Sequence, residues 1–177
     1  ERSIRDGGDE EVYRADLQRR LGYQENPALN DVIDQLTTLP KQLILADLSP
    51  KNIGRGKDKQ VTICDLESFY QGNLIYAYGY LAGHILLHTL NDPKRSEIFL
   101  PSLLEGYRSE DDKTDFESGL LKKIALGSAL YRLHNTIVPY NLSLSSEEKS
   151  QKATRAFELL EKEAPSWSDL TSSMVTA

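Results

Sequence analysis

Apolar positions recur with a helical period over the first forty or so and the last hundred or so residues of this chain, and only a short middle stretch breaks that rhythm. Val12, Leu17 and Leu21 stand at roughly helical spacing behind Asp9, which can cap a helix whose first turn carries Glu10 and Glu11. After a turn between Gly22 and Pro27, Leu29, Val32, Ile33 and Leu36 share one face of a second helix that Pro40 ends. Leu43-Ile44-Leu45 reads as a short buried strand. Gly54, Gly56 and Lys57-Asp58-Lys59 then form a hairpin tip between Ile53 and Val61.

The residues from Leu74 to Leu90 are almost wholly apolar or aromatic, a run too long for a strand, which predicts a buried central helix broken by Asp92-Pro93. Further helices are predicted around Ser96 to Tyr107 and from about Asp115 to Ile137, the latter carrying Leu120, Leu121, Ile124, Leu130 and Leu133. Ser145 and Glu148 make a capping box for a last helix reaching about Ala164, and residues 165–177 are expected to form a flexible tail. The expected fold class is mainly α with a small β-hairpin, that is α+β, in a single domain over residues 1–164.

Composition narrows the function classes. With 177 residues, 39% of them hydrophobic, the chain can bury a core of its own. No apolar run approaches the roughly 18 residues of a membrane span, and no basic-then-apolar leader opens the chain. The single cysteine, Cys64, rules out an internal disulfide and favours a reducing compartment, so the expected location is the cytoplasm. A net charge of −6 without a basic stripe argues against nucleic acid as a partner, and is compatible with a cationic ligand. The first residue is Glu1 rather than methionine, which suggests a segment trimmed from a longer protein.

The middle stretch carries the candidate chemistry. Asp47 opens Asp47-Leu48-Ser49-Pro50-Lys51-Asn52, and Asp65 closes the apolar Val61-Thr62-Ile63-Cys64. An acid, an asparagine five positions on, and an acid at a strand end is the donor set that metal-dependent phosphoryl transfer needs. A base must face the acceptor hydroxyl while an amide oxygen and a carboxylate hold magnesium against the nucleotide phosphates. Asp47 is the candidate base, Asn52 and Asp65 the candidate metal ligands, and Glu67 can assist directly or through water. Each alone has a plain structural explanation, as turn residue, hairpin residue and strand-end cap. Together, flanked by helices, they favour phosphotransfer.

These two stretches, LADLSPKNI and VTICDLESFYQGN, resemble the catalytic and metal-binding segments of the aminoglycoside phosphotransferase and choline kinase-like family, where the pattern is commonly H-G-D-x-x-P-x-N followed by D-x-E. The helical segment before Leu43, the aromatic-rich helix after Gly72 and the stretch Arg132 to Tyr140 are similar to other parts of that family's C-terminal lobe. The resemblance implies the protein-kinase-like fold, magnesium, ATP as donor and a small hydroxyl-bearing acceptor. It matches Asp47 to the base, Asn52 and Asp65 to the metal ligands, and Glu67 to the second acid of D-x-E. The chain departs from the pattern in two places. Leu45-Ala46 replaces the His-Gly that braces the catalytic loop, and Ala77 falls where an anchoring aspartate often stands.

The 46 residues before Asp47 hold neither a glycine-rich phosphate loop nor a strand with a phosphate-pairing lysine. The expectation is therefore the C-terminal catalytic lobe of an ATP-dependent small-molecule kinase, inactive by itself, with a nucleotide-binding lobe upstream in the parent protein. The alternative is a non-catalytic pseudokinase lobe that binds a ligand or a protein.

Other residues invite functional readings with simpler explanations beside them. His84 and His88 are four apart on the central helix, a spacing zinc sites use, but no third ligand is near and packing explains them. Cys64 is expected to be a buried, inert small hydrophobe. Asp111, Asp112 and Asp115, with Glu105, Glu110 and Glu117, stand where related enzymes build the acceptor site and would favour an amine-bearing substrate, although a solvated loop accounts for them too. Arg132 is a candidate contact for an anionic group of the acceptor. Lys51 reads as an exposed lysine or a phosphate contact, and the tyrosines at 70, 76, 78 and 80 as core packing.

Overall fold

The computed structural model of the protein describes residues 8–22, 25–88, 102–103, 105, 119–134, 144–162 and 166. In chain order its elements are α1 (Gly8–Arg20), α2 (Pro27–Thr38), β1 (Gln42–Leu45), β2 (Ile53–Arg55), β3 (Val61–Ile63), β4 (Phe69–Gly72), α3 (Leu74–His88), α4 (Gly119–His134) and α5 (Ser146–Leu160). Single 3-10 turns occupy Pro50–Asn52 and Leu66–Ser68. The architecture is mostly helical with two small antiparallel sheets, the α+β class that the residue pattern predicts.

α2 follows its sequence closely. The Asn26 side chain accepts hydrogen bonds from the amides of Ala28 and Leu29, and Pro27 begins the helix where its missing N–H costs nothing. Leu29, Val32, Ile33 and Leu36 are all buried, and Leu39 turns extended directly before Pro40. α1 departs from expectation. Asp9 lies inside the helix rather than at its cap, and Val12 is 51% exposed. Five residues of helix rotate the side chain about 140° away from Leu17, so Tyr13 takes the core position with Leu17 and Leu21.

β1 pairs antiparallel with β4, Ile44 opposite Tyr70 and Leu45 opposite Phe69. This second sheet was not legible in the apolar pattern. Ile44 and Tyr70 point into the core while Leu43 and Phe69 face out, so β1 is covered on one side only and is not the fully buried strand its composition suggests. β2 and β3 form the expected hairpin, Ile53 opposite Ile63 and Arg55 opposite Val61. Its tip is closed by Lys59 N–H to the Gly56 carbonyl (3.0 Å) and Gly56 N–H to the Gln60 carbonyl (2.9 Å), with Lys59 at a φ of 68°.

α3 lies against α4 at close range. A β-carbon at Gly83 would sit 2.6 Å from the Ala125 carbonyl oxygen, which sets how near the two backbones come. α5 begins with the capping box, Ser145 Oγ accepting from Glu148 N–H and Glu148 Oε2 accepting from Ser145 N–H, and buries Ala153, Ala156, Leu159 and Leu160 against α3 and α4. A second apolar cluster joins α1, α2, β1 and the start of α3 beneath the Asp47 loop, and Ala46 and Ala77 both belong to it. No described helix is long and apolar enough to cross a membrane. The helix predicted around Ser96 to Tyr107 lies almost wholly outside the described residues, as does the tail apart from Ser166.

Candidate active site

β1 ends one residue before the Asp47 loop, and Ser68, directly before β4, holds the loop down. Ala46 N–H donates to the Ser68 carbonyl (3.1 Å) and Asp47 N–H to Ser68 Oγ (3.3 Å). The 3-10 turn then folds Asn52 back over the loop. Asn52 is buried, and its Nδ2 donates both to the Asp47 carbonyl (3.0 Å) and to Asp47 Oδ2 (3.3 Å). The amide nitrogen is thus spent on the candidate base, and Asn52 Oδ1 has no partner among the described residues.

The Asp47 carboxylate sits among cations. Lys51 Nζ is 3.3 Å from Oδ2, and Arg132 Nη2 is 3.5 Å from Oδ1. Partial burial pushes the carboxyl upward, but Arg20, then Lys51 and Arg132, overcome it and hold the group below its ordinary value. Asp47 is therefore ionised at neutral pH.

The hairpin sets Asp65 beside this loop. Cys64 N–H donates to the Asn52 carbonyl (2.9 Å), which continues the β2–β3 ladder one pair past Ile53 and Ile63. Asp65 comes next, in the left-handed region at φ 62° and ψ 54°. That conformation is uncommon outside glycine, tolerated by aspartate, and enriched at functional sites. Asp65 and Glu67 are exposed, and neither makes a hydrogen bond or ion pair among the described residues. Cys64 is exposed, correcting its expected burial, because it follows a strand, β3, that is exposed along its whole length; its Sγ lies 3.4 Å from the Asn52 carbonyl.

Among the described residues no three His, Cys, Asp or Glu side chains form a metal-holding group. Asn52 Oδ1 and the Asp65 carboxylate, on residues linked through the Cys64–Asn52 ladder bond, are instead two hard oxygen donors without partners among the described residues. Such a set suits magnesium, which takes one or two protein oxygens and completes its shell from phosphates and water.

Behind Asp47 lies a buried polar network that residue patterns did not announce. Asp16 and Arg20, four apart on α1, are both buried and pair at 2.9 Å. Asp16 also pairs with Arg19, and its Oδ2 accepts from Tyr70 (2.6 Å) and Tyr76 (2.9 Å) hydroxyls. Burial, with Asp16 beside them, pushes both phenols upward. Arg20 Nη1 donates to the Ala46 carbonyl (3.0 Å), and its guanidinium lies 4.2 Å from the Tyr80 ring centroid. Arg132 donates to Tyr80 Oη, and Tyr80 meets His84 edge-on at 4.7 Å. The tyrosine stripe is core packing, as expected, with its hydroxyls turned to charges. Asn73 adds a tie, accepting from Tyr13 Oη and donating from Nδ2 to the Leu39 (3.1 Å) and Pro40 (2.8 Å) carbonyls.

The structure therefore places Asp47, Asn52 and Asp65 on one loop-and-hairpin unit with Glu67 two residues beyond, and Arg132 against Asp47. Asp111, Asp112 and Asp115 lie outside the described residues, and for His88 only its place at the end of α3 is described. The sequence matches no family model and no curated protein. The fold is similar to that of an amicoumacin kinase, hAmiN, solved in complex with AMP-PNP, Ca2+ and Ami. The TM-score is 0.51 at 17% identity, over 88% of this chain and 48% of that one. The chain thus has a distant kinase-like fold and spans about half the length of that kinase.

Proposed function

We propose that this chain is the C-terminal catalytic lobe of a small-molecule phosphotransferase that moves the ATP γ-phosphoryl group to a hydroxyl acceptor, with magnesium. The observation that carries this reading is the double use of Asn52. Its Nδ2 fixes Asp47 while its backbone carbonyl fixes the strand leading to Asp65, so base and metal ligands share one rigid unit.

Asp47 would accept a hydrogen bond from the acceptor hydroxyl, align its oxygen with the γ-phosphorus, and take its proton as the new P–O bond forms and the bond to ADP breaks. A carboxylate held below its ordinary value is a weak base, which suits a loose transition state in which the proton leaves late. Asn52 Oδ1 and Asp65 would hold the magnesium, with Glu67 assisting; the ion supplies charge neutralisation at the phosphates. Lys51, half exposed beside Asp47, is placed to meet negative charge arriving there. Arg132, turned to Asp47 and Tyr80, would reach an anionic group of the acceptor only alongside the base.

The nucleotide-binding lobe belongs upstream in the parent protein, and residues 1–164 form one lobe beside it. The neighbour, a kinase in complex with AMP-PNP, Ca2+ and Ami, supports nucleotide and metal use, and the 48% of its length that this chain spans supports a one-lobe chain. Asp111, Asp112 and Asp115 would favour an amine on that acceptor, and the setting is the cytoplasm.

Asp47→Asn in the full-length natural protein, assayed with ATP, magnesium and a panel of amino-alcohol acceptors, should cut turnover by about 100- to 10,000-fold. Unchanged turnover rejects the base. The second reading, a non-catalytic lobe, draws on the pairing of Asp47 with Lys51 and Arg132. It requires that the wild-type protein show no phosphate transfer while still binding a ligand or protein.

A further inference from the structure

Leu45, Ala46 and Ala77 are apolar, so their side chains offer the loop bearing Asp47 no hydrogen bond. Its backbone is nevertheless gripped from behind. Arg20 Nη1 donates to the carbonyl of Ala46, the residue directly before Asp47, at 3.0 Å. The same guanidinium pairs through Nε with Asp16 at 2.9 Å and lies over the Tyr80 ring at 4.2 Å. Asp16 is fixed in turn by hydroxyls from β4 and α3, those of Tyr70 (2.6 Å) and Tyr76 (2.9 Å). Arginine, acid and both tyrosines are buried.

We infer that Arg20 on α1 is a positioning residue for the base, clamping the Ala46 carbonyl from an Asp16 socket and so fixing where the Asp47 carboxylate stands. The inference rests on the proposed role of Asp47. A planar fork with fixed donors transmits the position of α1 to the loop backbone, which one flexible point charge cannot do. A carbonyl inside the core also needs a donor, and Arg20 supplies one that β4 does not.

The test uses Arg20→Met and Arg20→Lys in the full-length natural protein, with two readouts. They are amide exchange of Asp47 relative to the β2–β3 hairpin, and steady-state turnover. Arg20→Met should speed Asp47 amide exchange about tenfold and lower kcat about tenfold with KM for ATP unchanged. Arg20→Lys should restore neither, because the charge returns without the fork. An Asp47 exchange rate left at its wild-type value relative to the hairpin, whatever happens to global stability, overturns the inference. The exchange readout needs no turnover, so it judges the clamp even where Asp47→Asn proves silent and the base assignment falls. Tyr70→Phe, which removes one hydroxyl from the Asp16 socket, decides the matter where Arg20→Met does not fold. Asp47 exchange should then rise a few-fold, and no rise counts against the clamp.

Discussion

Asp47 stands between two regions built on opposite principles. On the α1 and α3 side, Asp16, Arg20, Tyr70, Tyr76 and Tyr80 are buried and bound to one another. On the hairpin side, Asp65 and Glu67 are exposed and unpaired among the described residues, and Val61 and Ile63 show 67% and 45% of their surface. The contrast fits the proposed roles of the two sides. A charge that only orients a neighbour can be sealed in the core if its counter-charge is sealed with it. In the proposed metal role, the Asp65 and Glu67 carboxylates would have no counter-charge before the ion arrives and would stay wet until then.

The contrast can be broken most forcefully at Asp16. Asp16→Ala leaves the Arg20 guanidinium buried without its carboxylate and should cost about 3–5 kcal/mol in urea unfolding. A loss below about 1 kcal/mol would put this pair with ordinary surface ion pairs and dissolve the distinction. The buried phenols sharpen it at high pH. The ordinary tyrosine value is 10.0, and burial holds Tyr70 and Tyr76 above it. Below pH 10 folded and unfolded chains keep the same phenolic protons, so stability should not depend on these groups there. Above it the unfolded chain releases protons that the folded chain retains, so stability should fall as pH rises. Denaturation midpoints between pH 9 and 11 should show the drop for wild type and a smaller one for Tyr76→Phe. The hairpin gives the smallest effect. Val61→Thr keeps the branched side chain of an exposed strand position and should stay within about 0.5 kcal/mol of wild type.

Elements governed by local rules were legible in the sequence. The apolar face of α2, the Ser145 capping box, the hairpin tip and the Asp47-to-Asn52 turn each depend on residues within a few positions of one another. What was missed depends on distant cover. Asp16 and Arg20 at a four-residue spacing look like a solvent-facing helix pair. Tyr70 and Tyr76, 54 and 60 positions on from Asp16, help turn them into core. The same holds for Val12 and Cys64, whose burial was inferred from type when it depended on which face another element covers. The one signal in the sequence for the network is the period itself, since Tyr13, Asp16, Leu17 and Arg20 share a helical face with Leu21. β4 hid because two of its four residues, Gln71 and Gly72, carry no apolar alternation.

Asp65 bends the chain through a left-handed backbone and presents its carboxylate at the same point. Valine or isoleucine there would fight the turn, whereas glycine or asparagine would preserve it and discard the negative charge. Loss of chemistry and loss of shape are thus separable at this single residue. The hairpin would outlast the charge, so an acid at this position is more than the turn alone demands.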